Sequence, residues 1–293
     1  MPGRTKTFLL GLGCQKGGST WLHDYLHNRP DCDFGVAKEY HTFDARYLDL
    51  FRWFHARDLR RLTDLLNKKQ RLGFWRGRKL DWRIDKLARK IVFREDPSYY
   101  AEYFDRLWQA DPAIRLVGDI TPGYAALQPE HYREIKTLLE GKGFDVKVIF
   151  ILRDPVERCY SAVRAANEKK IARGEAIDLR GLLEANFATP AFECRTRYEN
   201  TVRAVETVFA ADRIFLTLHE TLFTAAEIGR LNRFLGLDDK TPARLGLRVN
   251  ASSRHGDVPA DLAARIYRHY RPTYEFCAER FGRDLIAALW HHD

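Results

Sequence analysis

The chain has 293 residues, 45% of them hydrophobic and 13% aromatic, with a formal net charge of +9. That length and apolar content exclude a disordered chain, and no apolar run reaches the roughly 18 residues of a membrane span. Five cysteines (Cys14, Cys32, Cys159, Cys194 and Cys277), odd in number and without a C-x-x-C pair, exclude a structural zinc site and predict free thiols.

Near the N-terminus, Phe8, Leu9 and Leu10 form a short apolar run without helical period, ending at Gly11 and Gly13, as in a buried central strand. Gly17 and Gly18 allow a tight turn, and Ser19 or Thr20 is placed to cap a helix beginning near Trp21. A strand–glycine loop–helix junction gathers backbone N–H groups and a positive helix end at one point, which suits a phosphate or sulfate. The P-loop of nucleotide triphosphatases places its lysine after the second glycine, directly before Ser/Thr. Here Lys16 comes before Gly17 and Gly18, so the cation enters from the loop.

Trp21, Leu22, Tyr25 and Leu26 recur at helical spacing until Asn28-Arg29-Pro30. A short second strand over Cys32–Val36 delivers the octapeptide Ala37-Lys38-Glu39-Tyr40-His41-Thr42-Phe43-Asp44 to the sheet end where ligands bind. Residues 45–110 read as helices, broken near Gly73–Lys79 and at Asp96-Pro97. Within them, residues 51–94 hold 15 Lys and Arg against 4 Asp and Glu, whereas the remainder holds 34 against 36. The excess charge is therefore regional.

Ile114–Val117 reads as a strand followed by the turn Gly118-Asp119-Ile120-Thr121-Pro122-Gly123-Tyr124, and Pro129–Glu140 as a helix. Val146–Leu152 is the clearest central strand; Arg153-Asp154-Pro155 ends it and opens a helix through Ser161 toward Lys170. A helix over Thr196–Phe209, a strand over Arg213–Leu218 and a helix over Glu220–Leu235 stopping at Gly236 follow, then a polar loop and C-terminal helices from Pro259. Strands alternating with helices predict an α/β fold: one domain over 1–293 with a central, mostly parallel five-stranded sheet flanked by helices. The N-terminus passes straight into the first strand, which predicts no signal peptide and a cytoplasmic protein.

An arginine just past a central strand, with a serine eight residues further along the next helix, puts a guanidinium and a hydroxyl near one anion. Lys16-Gly17-Gly18-Ser19-Thr20-Trp21-Leu22 resembles the 5′-phosphosulfate loop of sulfotransferases that use 3′-phosphoadenosine 5′-phosphosulfate (PAPS). Phe150-Ile151-Leu152-Arg153-Asp154-Pro155 with Arg158 and Ser161 resembles their 3′-phosphate motif. Tyr198 sits where the family often places an adenine-contacting tyrosine, and Ser253-Arg254-His255-Gly256 is similar to the C-terminal loop that closes over the 3′-phosphate. The resemblance implies a P-loop-kinase-like sulfotransferase fold with a basic, helical acceptor-side insertion at about 45–110. It also implies PAPS as co-substrate, no metal, and transfer of a sulfuryl group to a hydroxyl or amine. Lys16 would stabilise the leaving phosphate.

Glu39-Tyr40-His41-Thr42-Phe43-Asp44 is similar to the Glu-x-His-x-Phe-Asp stretch of heparan-type and related carbohydrate sulfotransferases, whose glutamate is the proposed base. Glu39 is accordingly the first choice of base and His41 the second. Burial beside an anion would raise the Glu39 pKa, and Lys38 would counter that. Asp119-Ile120-Thr121-Pro122 departs from the Glu-Lys-Ser/Thr-Pro pattern of those enzymes, so a glycosaminoglycan acceptor is not carried over. Asp119 fits acid–base support, an acceptor contact or a turn-forming carboxylate. The acceptor is left as a small molecule, carbohydrate or lipid. The 51–94 segment is a candidate for contact with an anionic surface, with no nucleic-acid-binding motif beside it. Two other readings stay open: an ATP-dependent small-molecule kinase, and a non-catalytic polyanion- or membrane-surface binding protein.

Overall fold

The computed structural model describes residues 5–239 and 258–291. Five strands, β1 (Thr7–Gly11), β2 (Cys32–Asp33), β3 (Leu116–Ile120), β4 (Asp145–Leu152) and β5 (Ile214–Leu218), form one sheet in the order β2-β3-β1-β4-β5. Every pairing is parallel. This is the P-loop-kinase-like arrangement the sequence predicts. The strand order proceeds to opposite sides of the sheet from the adjacent β1 and β4, and such a switch point opens a crevice at the carboxyl ends of the strands.

The strands are apolar because both sheet faces are covered. Helix α1 (Ser19–His27) contributes Trp21, Leu22 and Leu26 to the core on one face. The helices α2 (Phe43–Tyr47), α3 (Trp53–Gly77), α4 (Asp81–Glu95), α5 (Pro97–Ala110), α6 (Pro129–Glu140), α7 (Pro155–Ala172), α8 (Leu179–Asn186), α9 (Pro190–Glu193) and α10 (Tyr198–Glu206) follow in order. The chain continues with α11 (Ala225–Leu235), α12 (Ala260–His269), α13 (Arg271–Phe281) and α14 (Arg283–Leu289). Helix α11 joins α1 on its face, while Phe104, Ile135, Val156, Val202 and Ile266 represent the larger core on the other.

Several boundaries differ from the sequence reading for identifiable reasons. Strand β3 runs on through Gly118 and Asp119, which look like turn residues. A Cβ at 118 would stand 2.6 Å from the Leu9 carbonyl oxygen, so glycine here permits close strand pairing. Strand β2 is only two residues long, because the chain leaves the sheet at Gly35 (φ 66°). Helix α11 starts at Ala225 and not at 220, where the Thr224 side chain accepts from the Glu227 amide. Helices α8 and α9 were not anticipated.

Helices α3 and α4 form an antiparallel hairpin, with a backbone kink at Gly73 (φ 72°) near its tip. Its outer part exposes Leu66, Trp75 and Trp82, the last two at 79% and 66%. Helix α5 does not share that outlying position: Tyr100, Ala101 and Phe104 are buried in the main core. No helix among the described residues is long and apolar enough to cross a membrane.

Candidate active site

The loop after β1 is laced to β4. The Cys14 amide donates to the Ile151 carbonyl at 2.6 Å, and the Ile151 amide donates to Gly13 at 2.7 Å. Gly18 (φ 104°) is the N-cap of α1; Ser19, expected as a cap, is the first helical residue. The first intrahelical bond runs from the Leu22 amide to the Gly18 carbonyl, so the amides of Ser19, Thr20 and Trp21 precede it at the positive helix end. Thr20 has another use: its Oγ1 accepts from Lys38 Nζ. A Cβ at Gly17 would lie 2.6 Å from Cys14 Sγ, so glycine is required for the close turn. Cys14 itself is a wholly buried filler, its thiol pushed up to about 11 by burial.

Lys16 adopts a left-handed backbone (φ 68°) at the crest of this loop. Burial lowers its pKa, and the positive charges of Arg153, Lys38 and Arg164 lower it further against Glu168. Lys16, Arg153, Lys38 and Arg164 thus gather positive charge at this loop, an arrangement suited to an anion.

Arg153 stands just beyond β4 and ties the two strand ends together by donating to the Lys16 carbonyl at 2.8 Å. Asp154 caps α7 by accepting from the Val156 and Glu157 amides, and Tyr274 donates to the same carboxylate oxygen. Ser161 lies buried two turns into α7. Arg158 is wholly buried, with its NH1 3.4 Å from Gln15 Oε1 and its guanidinium 4.8 Å from the Phe192 ring centre; its Nε meets no acceptor among the described residues. Tyr198 is enclosed beneath the loop, where its hydroxyl donates to the Arg153 carbonyl at 2.8 Å. It therefore supports the β4 end, and presents no open face to an adenine. Ser253, Arg254, His255 and Gly256 lie outside the described residues.

A cavity of about 250 Å³ adjoins Arg153, with His219, Glu220 and Phe223 in its wall. His219 Nδ1 lies 3.0 Å from the Gly17 carbonyl, an acceptor, so that nitrogen carries the proton and pins the loop. Glu220 is held above the usual carboxylate range by burial. The sequence reading did not single out His219; its position one residue past β5, at the ligand edge of the sheet, was the available signal.

A second cavity, of about 220 Å³, lies on the other side of the loop, lined by Gln15, Glu39, His41, Phe54, Arg57 and Lys90, with Pro122, Gly123 and Arg195 completing it. Here three side chains of the octapeptide form one chain of contacts. His41 Nε2 is 3.3 Å from Glu39 Oε2, and His41 Nδ1 is 2.7 Å from Asp44 Oδ2. Both ring nitrogens face carboxylate oxygens, which only accept, so the doubly protonated imidazolium satisfies both. Burial alone would lower the His41 pKa, but Asp44 and Glu39 outweigh it and the pKa is raised. The ring is stacked on Phe54 at 3.6 Å and keeps 8% of its side-chain surface; Glu39 keeps 35% and faces the cavity.

The expected direction of the Glu39 pKa is corrected. Burial pushes it up, yet His41, Lys38 and Lys90 together bring it below the usual glutamate range. His41, from the same octapeptide, lowers it most, and Lys90, which the sequence did not place there, adds to Lys38.

Asp119 lines neither of these two cavities. It is wholly buried, pushed up to about 6 by burial, and accepts from Thr121 Oγ1, the Tyr124 hydroxyl and the Tyr100 hydroxyl. Thr121 Oγ1 in turn accepts from the Tyr40 amide, and the Tyr124 hydroxyl from the Thr42 amide. Asp119 thus holds the backbone on both sides of His41.

The model of the sulfotransferase family matches residues 9–241. No curated protein sequence matches the chain. Among solved structures, a sulfotransferase from Alicyclobacillus acidocaldarius aligns with a TM-score of 0.56 at 16% identity, over 99% of this chain and 97% of that one. Sulfotransferase STF9 from Mycobacterium avium aligns at 0.45 and 15% identity over 96% and 78% of the two chains. The sulfotransferase domain of the Synechococcus PCC 7002 olefin synthase aligns at 0.42 and 16% identity over 91% and 89%. With the family match spanning most of its length, from β1 past α11, the chain belongs to the sulfotransferase family.

Proposed function

We propose that the protein transfers a sulfuryl group from PAPS to a hydroxyl or amine of an acceptor held in the 220 Å³ cavity. The observation that carries this reading is the position of one loop between two cavities. Gln15 lines the acceptor cavity, Gly17 is pinned by His219 of the other, and Lys16 sits between them among converging cations.

The residues fit such a donor. The amides of Gly18, Ser19, Thr20 and Trp21 at the start of α1 would take its 5′-phosphate, while the Gly17 amide, expected with them, donates to the Cys14 carbonyl at 3.1 Å and shapes the loop. Arg153, with Ser161 along α7, would take the 3′-phosphate, and Phe223 offers an aromatic wall. The donor supplies the sulfuryl group and a phosphate leaving group. Lys16 compensates the charge that grows on the leaving oxygen as its bond to sulfur breaks. Glu39 takes the proton of the acceptor as the new bond to sulfur forms; a carboxylate below its usual pKa is ionised and ready throughout the neutral range. His41, charged between Glu39 and Asp44, fixes the rotamer of Glu39 and cannot itself accept the proton while so protonated.

The test is calorimetric titration with 3′-phosphoadenosine 5′-phosphate, alongside ATP with magnesium. Stoichiometric binding of the bisphosphate that weakens at least tenfold in Arg153→Ala supports the proposal. Preference for magnesium-ATP, with phosphoryl transfer, would replace it with the kinase reading.

A further inference from the structure

The acceptor cavity carries more positive charge than its carboxylates neutralise. Arg57 and Lys90, from the two arms of the hairpin, and Arg195, from the segment after α9, stand in its wall. Behind them Asp58 is almost wholly buried and shared: Oδ1 accepts from Arg57 at 2.9 Å and Oδ2 from Arg94 at 2.8 Å, with Lys90 at 4.0 Å. One carboxylate serves three cations. Arg195 rests on the Ala191 carbonyl and over the Phe51 ring at 4.6 Å, contacts that leave its charge intact. Glu39 and Asp44 are already engaged with His41.

Cations gathered with so little counter-charge cost free energy unless an anion joins them. Burial shifts the pKa values of Lys90 and Arg195 downward, Lys90 to about 8, in keeping with that shortage. A neutral phenol or an aliphatic alcohol would leave the shortage in place. At 220 Å³ the cavity is below the size of a typical drug-sized pocket, roughly 300 Å³ and above, so it encloses one ring or a short chain segment.

We propose that the acceptor carries a fixed anionic group, a carboxylate, phosphate or sulfate, beside the hydroxyl or amine that is sulfated, and that Arg57, Lys90 and Arg195 hold that group. This rests on the sulfotransferase reading above. Phe54 supplies an apolar wall, and Glu39 faces the same space, so anchoring the charge presents the neighbouring nucleophile to the base.

The test uses the full chain saturated with 3′-phosphoadenosine 5′-phosphate, so that the donor side is filled. Glucuronate, glycerol 3-phosphate and inorganic sulfate are titrated calorimetrically, with glucose and glycerol as neutral counterparts. At least one anionic probe is expected to bind tenfold or more tightly than its neutral counterpart, and the preferred probe identifies the anionic group. Arg195→Gln and Arg57→Gln should each weaken that probe about tenfold, the scale of one charge-assisted hydrogen bond, with nucleotide affinity unchanged. Arg195→Lys keeps the charge and should stay within about threefold of wild type, which separates loss of charge from loss of fold. Equal binding of anionic and neutral members, or anion binding unaltered by both glutamine variants, overturns the proposal. Failure of the nucleotide to bind overturns instead the sulfotransferase reading, and the same anion titrations without nucleotide still report on the cavity.

Discussion

The two sides of the site are assembled in opposite ways. The proposed donor side is built from strand ends: a loop laced to β4, a helix N-terminus, and Arg153 bonded across to the Lys16 carbonyl. Its groups are largely backbone, fixed by the sheet before any side chain chooses a rotamer. The proposed acceptor side is built from helices and a turn remote in sequence, with Glu39 and His41 meeting Arg57, Lys90, Gly123 and Arg195. Phosphate geometry is common to a whole family, so a rigid backbone cradle serves it; acceptor choice varies, and side chains on peripheral helices can change without disturbing the sheet.

The largest expected effect lies on the acceptor side. Glu39→Gln keeps shape and removes the proposed base, and should lower kcat by about 10²–10⁴-fold while bisphosphate affinity stays within threefold. Rapid-quench measurement of labelled sulfuryl transfer reads this directly. A variant retaining a tenth of wild-type kcat would move the proton acceptor elsewhere. On the donor side, Lys16→Ala should cost about 10²–10³-fold in kcat, the scale of one lost electrostatic stabiliser, with a lesser loss of nucleotide binding. If nucleotide affinity collapses instead, Lys16 belongs to ground-state binding and the contrast between cradle and chemistry blurs.

The layout of the proposed donor side was legible in the sequence because it is compressed. Lys16 to Thr20 is one contiguous loop, and Arg153 and Ser161 fall on one strand-to-helix junction; their roles toward a donor follow from the family resemblance. Tyr198 shows the limit: the residue sits under the loop as a support, and only packing reveals that its hydroxyl is spent on the Arg153 carbonyl. Glu39 and His41 were legible as ionisable residues, but the sign of the Glu39 shift follows first from its contact with His41, with Lys38 and the distant Lys90 adding to it, and only the folded chain shows that contact. Arg57 and Arg195 were invisible for the same reason; each belongs to an arginine-rich neighbourhood where nothing local marks one guanidinium as facing inward. Asp119 read as acid–base support, acceptor contact or turn former, and its three hydroxyl partners and complete burial favour a structural role.

Gly123 joins the two halves of that acceptor side. A Cβ there would fall well inside contact distance of Asp44 Oδ2 and press on Phe51 at 3.2 Å, so Gly123→Ala must displace the carboxylate that orients His41. Overpacking of this kind costs about 1–3 kcal/mol. A chain of this size should then lose roughly 2–4 °C in Tm per kcal/mol, together with acceptor turnover, while the donor loop keeps its bisphosphate affinity. Full stability with lost turnover would show that Asp44 can shift freely, and that its contact with His41 is functional without being structural.

The smallest effect is a change of slope with pH, and its sign follows from the two shifts. His41 has a folded pKa raised above the ordinary 6.5, so its charged pairing with Asp44 and Glu39 stabilises the fold fully below pH 6.5 and is lost as pH rises through the folded value. Glu39 is lowered below the ordinary 4.5, so its contribution is present above pH 4.5 and is lost as pH falls through its folded value. Both contribute together between about pH 5 and 6.5, where wild type should exceed His41→Gln in denaturant stability by the widest margin, narrowing on either side. Donor-side variants such as Arg153→Ala should show no such maximum in the difference. A margin that instead widened steadily above pH 7 would mean that His41 is neutral between its carboxylates, and would return it to candidacy as the base.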